Sequence, residues 1–529
     1  MLSTLLLPFY LSLLISRFCH ALEQAVLQTS ISGPFDDTFA KLVNETLELW
    51  HVPGISIGVI DGDNIWTEGY GIAEFPSTPV TSSTLFYAGS TTKAFTAACM
   101  SFLVDDNENY PSVQWDTPIS HLIRDDFVLE DEWATAHVTI EDALSHRTGM
   151  PRHDASYGGY YSGHRAGAKD ITRALRYLPL TAEPRTKNQY CNMMFVAISH
   201  LIETLVGRFL GDELKDRIWK PLGMNSTYFT LPDAKDAPEF LAQGYVFREG
   251  EYEPVRLMEL DDISGAGSVI SNVIDYTKWI NAWLNTSPPI SKEGYEALKT
   301  PRSFVLSPSG KSPWTGPKAY ALGWDTGVYQ GYEYFQHSGG MDSYGSEVIF
   351  FPSLNYGLVA LGNTAGTSNA AEERLLFHLI DEKIGIPKEK RFDWNQKNQE
   401  SFEEQEEIYQ NAPSLLYPHS PNPPLPLSLP LSDYAGTYYH LAYRNITLYL
   451  IDGVLHADRE GVTWQATIDL KHISGDYFIA YMDLIHGAGG IFRQAVSAEF
   501  KVGKTGKPTS LGIAFEPEMR GAPIWFDKI

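Results

Sequence analysis

Residues 90–104, STTKAFTAACMSFLV, constrain this chain more than any other stretch, because after the first turn they are apolar on nearly every side. A helix with no polar face is packed on all sides, so it belongs at the centre of a large core. A chain of 529 residues is long enough to build one, and is expected to form two or more structural units.

The flanking sequence says what surrounds that helix. Phe39, Leu42, Val43, Leu47 and Trp50 recur at helical spacing, which predicts an amphipathic helix over 35–51, ended by Pro53-Gly54. Residues 55–60 (ISIGVI) and 65–70 (IWTEGY), joined by Asp61-Gly62-Asp63, predict a β-hairpin. Further helices fit 139–146, 171–177, 191–206, 211–219, 273–284 and 370–384, and strands fit 333–337, 345–351 and 356–362. This order predicts an α/β fold. An antiparallel sheet flanked by helices takes strands from both ends of the segment, and the middle helices form a second lobe. From 387 to 430 the composition changes: charged, Gln-rich sequence gives way to PHSPNPPLPLSLP, which reads as a Pro-rich, extended linker. Residues 431–529 alternate apolar and polar in short runs broken by Gly, Asp and Asn, the pattern of a small all-β domain.

Three short elements carry chemistry. Ser90-Thr91-Thr92-Lys93 opens the buried helix, and the i, i+3 spacing puts Ser90 and Lys93 on one face. A partly buried amine there can take the serine proton, and the Ser90 N–H, free at a helix start, can stabilise an oxyanion. The bare motif equally fits a helix-opening serine beside a surface lysine. Tyr190-Cys191-Asn192 precedes another apolar helix. A phenol beside a positive charge is expected to have a lowered pKa and to relay a proton, and the amide of Asn192 can hold both the lysine and a substrate carbonyl. By itself Tyr190 also fits a packed tyrosine with its hydroxyl bonded. His337-Ser338-Gly339-Gly340 ends a predicted strand. Its glycines allow substrate close to the backbone and an N–H there can be a second oxyanion donor, although a histidine satisfied in a turn explains His337 equally well.

Taken in this order, the three elements resemble the serine β-lactamase and penicillin-binding-protein family, which pairs S-x-x-K with Y-x-N and K/H-x-G. The branch most similar is that of class C β-lactamases, DD-carboxypeptidases and esterases. The stretches LSHRTGMP (144–151), PLGM (221–224), SGAG (264–267) and YALGW (320–324) agree with it. The resemblance covers about residues 30–386 and implies a β-lactamase/transpeptidase-like catalytic domain. It implies Ser90 as nucleophile, Lys93 as its base and Tyr190 as proton donor to the leaving group. Asn192, His337, Gly339 and Gly340 then contact substrate, with the N–H groups of Ser90 and Gly340 as oxyanion hole, and neither metal nor cofactor is implied. Cys191, and Glu183-Pro184-Arg185 ahead of the second element, depart from the family pattern without removing a catalytic group. His337 in place of Lys weakens the positive charge that receives a carboxylate, which favours esters, amides or small peptides over β-lactams. Members of this branch often carry a small barrel after the catalytic domain, sometimes lipocalin-like, and Asp433–Tyr438 (DYAGTY) looks like its opening. It either packs on the active-site mouth or serves as structural support.

The expected function is a serine hydrolase that cleaves an ester or amide bond of a small-molecule or peptide acyl substrate. An acyltransferase using the same acyl-Ser90 is the alternative, and a non-catalytic binding protein a more remote one. A net charge of -25 argues against nucleic-acid partners. Residues 1–21 read as a secretory signal peptide, with an apolar stretch too short to span a bilayer, and a retained anchor is the other reading. No later segment is long and apolar enough to span. Sequons at Asn44, Asn225, Asn285 and Asn445 suit a glycosylated, secreted protein. Cys99 and Cys191 are expected to stay unbridged, since nine helical residues separate Cys99 from the site that Cys191 adjoins.

Overall fold

The computed structural model describes residues 33–161, 163–306, 313–485 and 493–529; the signal peptide read over 1–21 lies outside the described residues. Helix α1 is Asp37–Trp50, capped by the Asp36 carboxylate on the Phe39 N–H at 2.8 Å. The hairpin is β1 (Gly54–Asp61) and β2 (Asn64–Glu74). Helix α2 is Thr92–Asp105, α3 is Asn192–Val206 and α4 is Val273–Asn285. Strands β3 (Tyr332–Met341), β4 (Tyr344–Phe351) and β5 (Tyr356–Gly362) follow, and then α5 (Thr367–Ile384).

These strands form one antiparallel sheet. Its order from one edge is Ser303–Val305, Lys318–Tyr320, Asp325–Tyr329, β3, β4, β5, β1, β2 and Thr78–Pro79. The N-terminal hairpin is thus inserted beside the last strand, Ile57 pairing with Ala360 and Val59 with Leu358. The inner strands β1, β4 and β5 are buried along nearly their whole length, because α1 and α5 cover one face and α4 the other. Three strands of three to five residues ahead of β3 are too short to be read from sequence, and the helix Lys292–Lys299 is amphipathic but only eight residues long. Helix α2 is enclosed as its composition requires: Phe95 stacks on Trp279 of α4, ring centroids 4.2 Å apart, and Cys99 is buried and unbridged.

The first half of the segment read as an extended linker is helical. Trp394–Gln410 forms α6, capped by Asp393, and docks on the catalytic domain through Trp394, whose ring stacks 4.2 Å from that of Phe377 in α5. Pairs such as Gln396–Glu400 and Glu406–Gln410 support its exposed face at i, i+4 spacing. The high charge of this stretch belongs to a solvated helix face, and only the proline-dense part after it runs without helix or strand. Residues 436–528 close into an eight-stranded antiparallel barrel, which includes β6 (Ala466–Ser474) and β7 (Tyr477–Leu484). Among the described residues no single helix is long and apolar enough to cross a membrane.

Trp394→Ala is expected to destabilise the protein by about 3–5 kcal/mol, because the ring is nearly buried and its neighbours cannot close the void. Denaturant unfolding measures this, and a loss under 1 kcal/mol would show that α6 is not docked.

Candidate active site

The turn that presents Ser90 is built from backbone constraints. Gly89–Thr91 form a single 3-10 turn that feeds α2, and Gly89 sits at φ +51°. A Cβ on Gly89 would lie 2.9 Å from the Gly340 nitrogen, so strand β3 approaches here more closely than a side chain allows. The Ser90 Oγ lies 2.9 Å from Lys93 Nζ and 2.9 Å from the Tyr190 hydroxyl.

Lys93 is 0 % exposed. Its Nζ also lies 2.7 Å from Asn192 Oδ1 and 2.7 Å from the Ala266 carbonyl, both of which only accept. Burial, reinforced by the nearby Arg152 guanidinium, pushes its pKa well below the ordinary value. A neutral amine fits these contacts: two N–H bonds go to Asn192 and Ala266, and the lone pair is left for the Ser90 hydroxyl. A neutral amine in this position can accept the serine proton, and the surface reading of S-x-x-K does not fit a lysine that is fully buried.

Tyr190 corrects one expectation. Burial raises its pKa, and Arg152, stacked 4.8 Å from the ring centroid, offsets this only in part. The phenol therefore stays protonated and donates to Ser90 Oγ. Its ring packs on His146 at 4.2 Å, and His146 Nδ1 accepts the Cys191 N–H at 3.1 Å, which fixes the segment that carries Tyr190 and Asn192. Asn192 turns its Nδ2 towards Asp154 at 3.3 Å, and Asp154 pairs with Arg152 at 2.6 Å.

His337 lies on β3, buried between two partners. Its Nδ1 is 2.6 Å from the Ser338 carbonyl, which can only accept, so Nδ1 carries the hydrogen and Nε2 accepts from the Tyr320 hydroxyl at 2.8 Å. Burial, with Lys93 nearby, takes its pKa down to about 3. The ring is neutral at physiological pH and supplies no positive charge to substrate. On the catalytic side Arg152 faces the site as a cation, and Arg459 does so from the opposite wall.

Strand β3 pairs with Asp325–Tyr329 only as far as Gln336, so residues 337–341 leave one edge open to the site. Met341 and Tyr344 close a two-residue hairpin, and the alternation of antiparallel bonds turns the Gly340 N–H away from β4 towards Ser90. Gly339 faces inward, where a Cβ would fall 2.2 Å from the Ala88 carbonyl and 2.2 Å from Ser346 Oγ. Gly340 has open space at the same position.

A cavity of about 620 Å³ opens over Ser90. Tyr190, Asn192, His337 and Gly340 line it on the catalytic side, with Arg152, Asp154 and Asp325. The barrel supplies the opposite wall, including Arg459, Trp464, Phe515 and Glu516. The two domains are joined at its rim: the His153 N–H donates to Glu516 at 2.8 Å, Arg459 donates to the Ala155 carbonyl at 2.9 Å, and Thr463 bonds to Asp262. Of the two readings of the C-terminal domain, the geometry supports packing on the active-site mouth. Among the described residues no three His, Cys, Asp or Glu side chains cluster as a metal site.

The structure thus brings Ser90, Lys93, Tyr190, Asn192, His337, Gly339 and Gly340 to one place. Sequence reasoning missed Arg152, Asp154, His146, the Ala266 carbonyl and the barrel wall. His146 and Ala266 lie within the LSHRTGMP and SGAG stretches, which carried a signal but no role; nothing in the sequence marks the barrel residues.

Residues 39–381 match the family model described as Beta-lactamase, and residues 420–528 match one described as Domain of unknown function (DUF3471). The protein named Unguisins hydrolase ungD' from Aspergillus campestris is 45 % identical, over 95 % of this chain and 94 % of its own length. Unguisins hydrolase ungD from Aspergillus violaceofuscus is 44 % identical, over 92 % of this chain and 89 % of its own. Among solved structures, the octameric penicillin-binding protein homologue from Pyrococcus abyssi superposes with a TM-score of 0.56 at 20 % identity, covering 93 % of this chain and 99 % of that one. A class C β-lactamase from Rhodobacter sphaeroides gives a TM-score of 0.52 at 20 % identity, covering 65 % of this chain and 100 % of its own.

Gly339→Ala and Gly340→Ala separate the roles of the two glycines. The first must push β3 off the Ser90 turn and is expected to lower kcat by on the order of 10²-fold, the scale of losing one oxyanion donor. The second is expected to cost much less, and equal losses in steady-state kinetics would contradict the packing described.

Proposed function

The chain belongs to the β-lactamase family, and from that premise we propose that it is a secreted serine hydrolase that opens an ester or amide bond through an acyl-enzyme on Ser90. One observation carries the proposal: a serine hydroxyl held at 2.9 Å by a buried amine and at 2.9 Å by a phenol. Lys93, neutral, takes the Ser90 proton as Oγ attacks the substrate carbonyl. The developing oxyanion is received by the N–H groups of Ser90 and Gly340. The Tyr190 hydroxyl gives its proton to the departing nitrogen or oxygen and recovers it from the Lys93 ammonium, whose Nζ lies 4.9 Å from the Tyr190 ring centroid; in deacylation water loses a proton to this Tyr190–Lys93 pair and the proton ends on Ser90 Oγ as the acyl group leaves. Asn192 holds Lys93 and its Nδ2 borders the cavity, where a substrate carbonyl is in reach. Neutral His337 supports the preference for substrates with no carboxylate to anchor.

The near full-length relatives named unguisins hydrolases, which share both the catalytic and the barrel regions, support unguisins or closely similar molecules as substrates of this chain. Secretion is supported by the apolar leader and by the exposure of Asn44, Asn225, Asn285 and Asn445, each at the surface where a glycan has room.

Purified enzyme is tested against unguisins, p-nitrophenyl esters, D- and L-aminoacyl amides and a chromogenic cephalosporin. Hydrolysis of an unguisin, seen by mass spectrometry as product that in total exceeds the substrate by one water, is expected. Ser90→Ala, Lys93→Ala and Tyr190→Phe are each expected to lower kcat by on the order of 10³-fold, because the three act as one unit. Retained activity in Lys93→Ala would overturn the assignment of the base.

A further inference from the structure

The cavity over Ser90 continues into the end of the barrel. Along β6 and β7, Leu470 pairs with Ala480, Ile468 with Met482 and Ala466 with Leu484, so all six share the inward face. At the far end the interior is filled by aromatic rings, with Phe478 and Phe500 5.3 Å apart and Tyr434 4.8 Å from Phe500. At the near end it is not filled: Ala466, Ile468, Met482 and Leu484 line the same cavity as Ser90, together with Trp464 and Phe515. An eight-stranded barrel is just wide enough to be plugged by its own side chains or to hold one small group at its mouth. This barrel does the first at one end and leaves the second open over the nucleophile.

The charges at this mouth are more acidic than basic. Arg152 is paired with Asp154 at 2.6 Å. Arg459, in the strand next to β6, donates to the carbonyls of Ala155 at 2.9 Å and Tyr443 at 2.7 Å, while its Nε has no partner among the described residues. Three acids also line the cavity wall, Asp154, Asp325 and Glu516. A carboxylate entering here meets three acids against two guanidinium groups, one of them already ion-paired, whereas an apolar group meets the wall formed by β6 and β7.

We propose that the barrel mouth is the specificity pocket of the Ser90 site and that it takes a bulky, uncharged, apolar portion of the substrate. This rests on the hydrolase reading above. The barrel then acts as the selective half of a chamber whose other half does the chemistry.

Two ester series test it with the full-length enzyme. In the first, p-nitrophenyl acetate, p-nitrophenyl octanoate and the p-nitrophenyl monoester of suberic acid vary the acyl side, the last two having the same chain length with and without a terminal carboxylate. In the second, ethyl acetate and octyl acetate vary the alcohol side. The long chain is expected to raise kcat/KM by about tenfold or more in at least one series, and the suberate monoester to fall about tenfold below the octanoate. Ala466→Trp, which fills the mouth, and Leu484→Glu, which charges its partly exposed rim, are each expected to erase the long-to-short ratio; folding of both is checked by circular dichroism. Ratios near one in both series, or a ratio that survives in both variants, overturn the proposal, and a suberate monoester as good as the octanoate overturns its uncharged character. Failure of the hydrolase reading looks different: p-nitrophenyl acetate turnover that persists in Ser90→Ala.

Discussion

The whole site depends on the desolvation of one amine. Lys93 lies in the first turn of a helix that is buried on every side, and its Nζ meets two carbonyl-type oxygens, a serine hydroxyl and no water-facing surface. An ammonium there lacks its hydration shell and has no carboxylate in contact, so the neutral form is favoured. The rest of the arrangement follows from that. A neutral Lys93 lets Ser90 be a hydrogen-bond donor towards the base while Tyr190, kept protonated by burial, donates from the other side. A phenolate or an ammonium at either position would break this pattern of donors and acceptors.

The fold supplies the desolvation. Helix α2 is apolar because helices of the middle lobe enclose it, with Phe95 against Trp279 of α4, and Ser90 stands just ahead of its first turn where the cavity opens. Strand β3 reaches that end because Gly89 and Gly339 carry no side chain, which brings the Gly340 N–H next to the nucleophile. The barrel completes the enclosure from the opposite side. Its contacts at His153, Ala155 and Asp262 hold it over the cleft, so the second domain shapes what reaches Ser90 without touching the proton relay.

Much of this was legible in the sequence, for physical reasons. Motifs that need a fixed spacing, such as Ser90–Lys93 on one helix face or a strand ending in His337-Ser338-Gly339-Gly340, leave a local mark, and so does the apolar helix that buries the amine. What depends on long-range packing left none. The protonation state of Tyr190 was misjudged because a nearby positive charge was weighed and the burial that outweighs it was not visible. His337 gave the right position, but its neutrality is set by Tyr320 and Ser338 and by enclosure. Helix α6 reads as linker because charge and glutamine hide the two buried rings, Trp394 and Tyr409, that dock its ends. The barrel wall was invisible because strands of the same alternating pattern either fill a barrel interior or line a mouth, and only the three-dimensional register separates the two.

The pH dependence of Ser90 phosphonylation tests the central claim most directly. Reaction with a serine-reactive phosphonate needs the base to be neutral but needs no knowledge of the natural substrate, and the adduct is located by peptide mass. The rate of adduct formation at Ser90 is predicted to reach its plateau well below 10.5, the ordinary pKa of a lysine. A rate that still climbs as the pH approaches 10.5, or labelling that survives Ser90→Ala, would show that Lys93 is not the desolvated base on which this account rests.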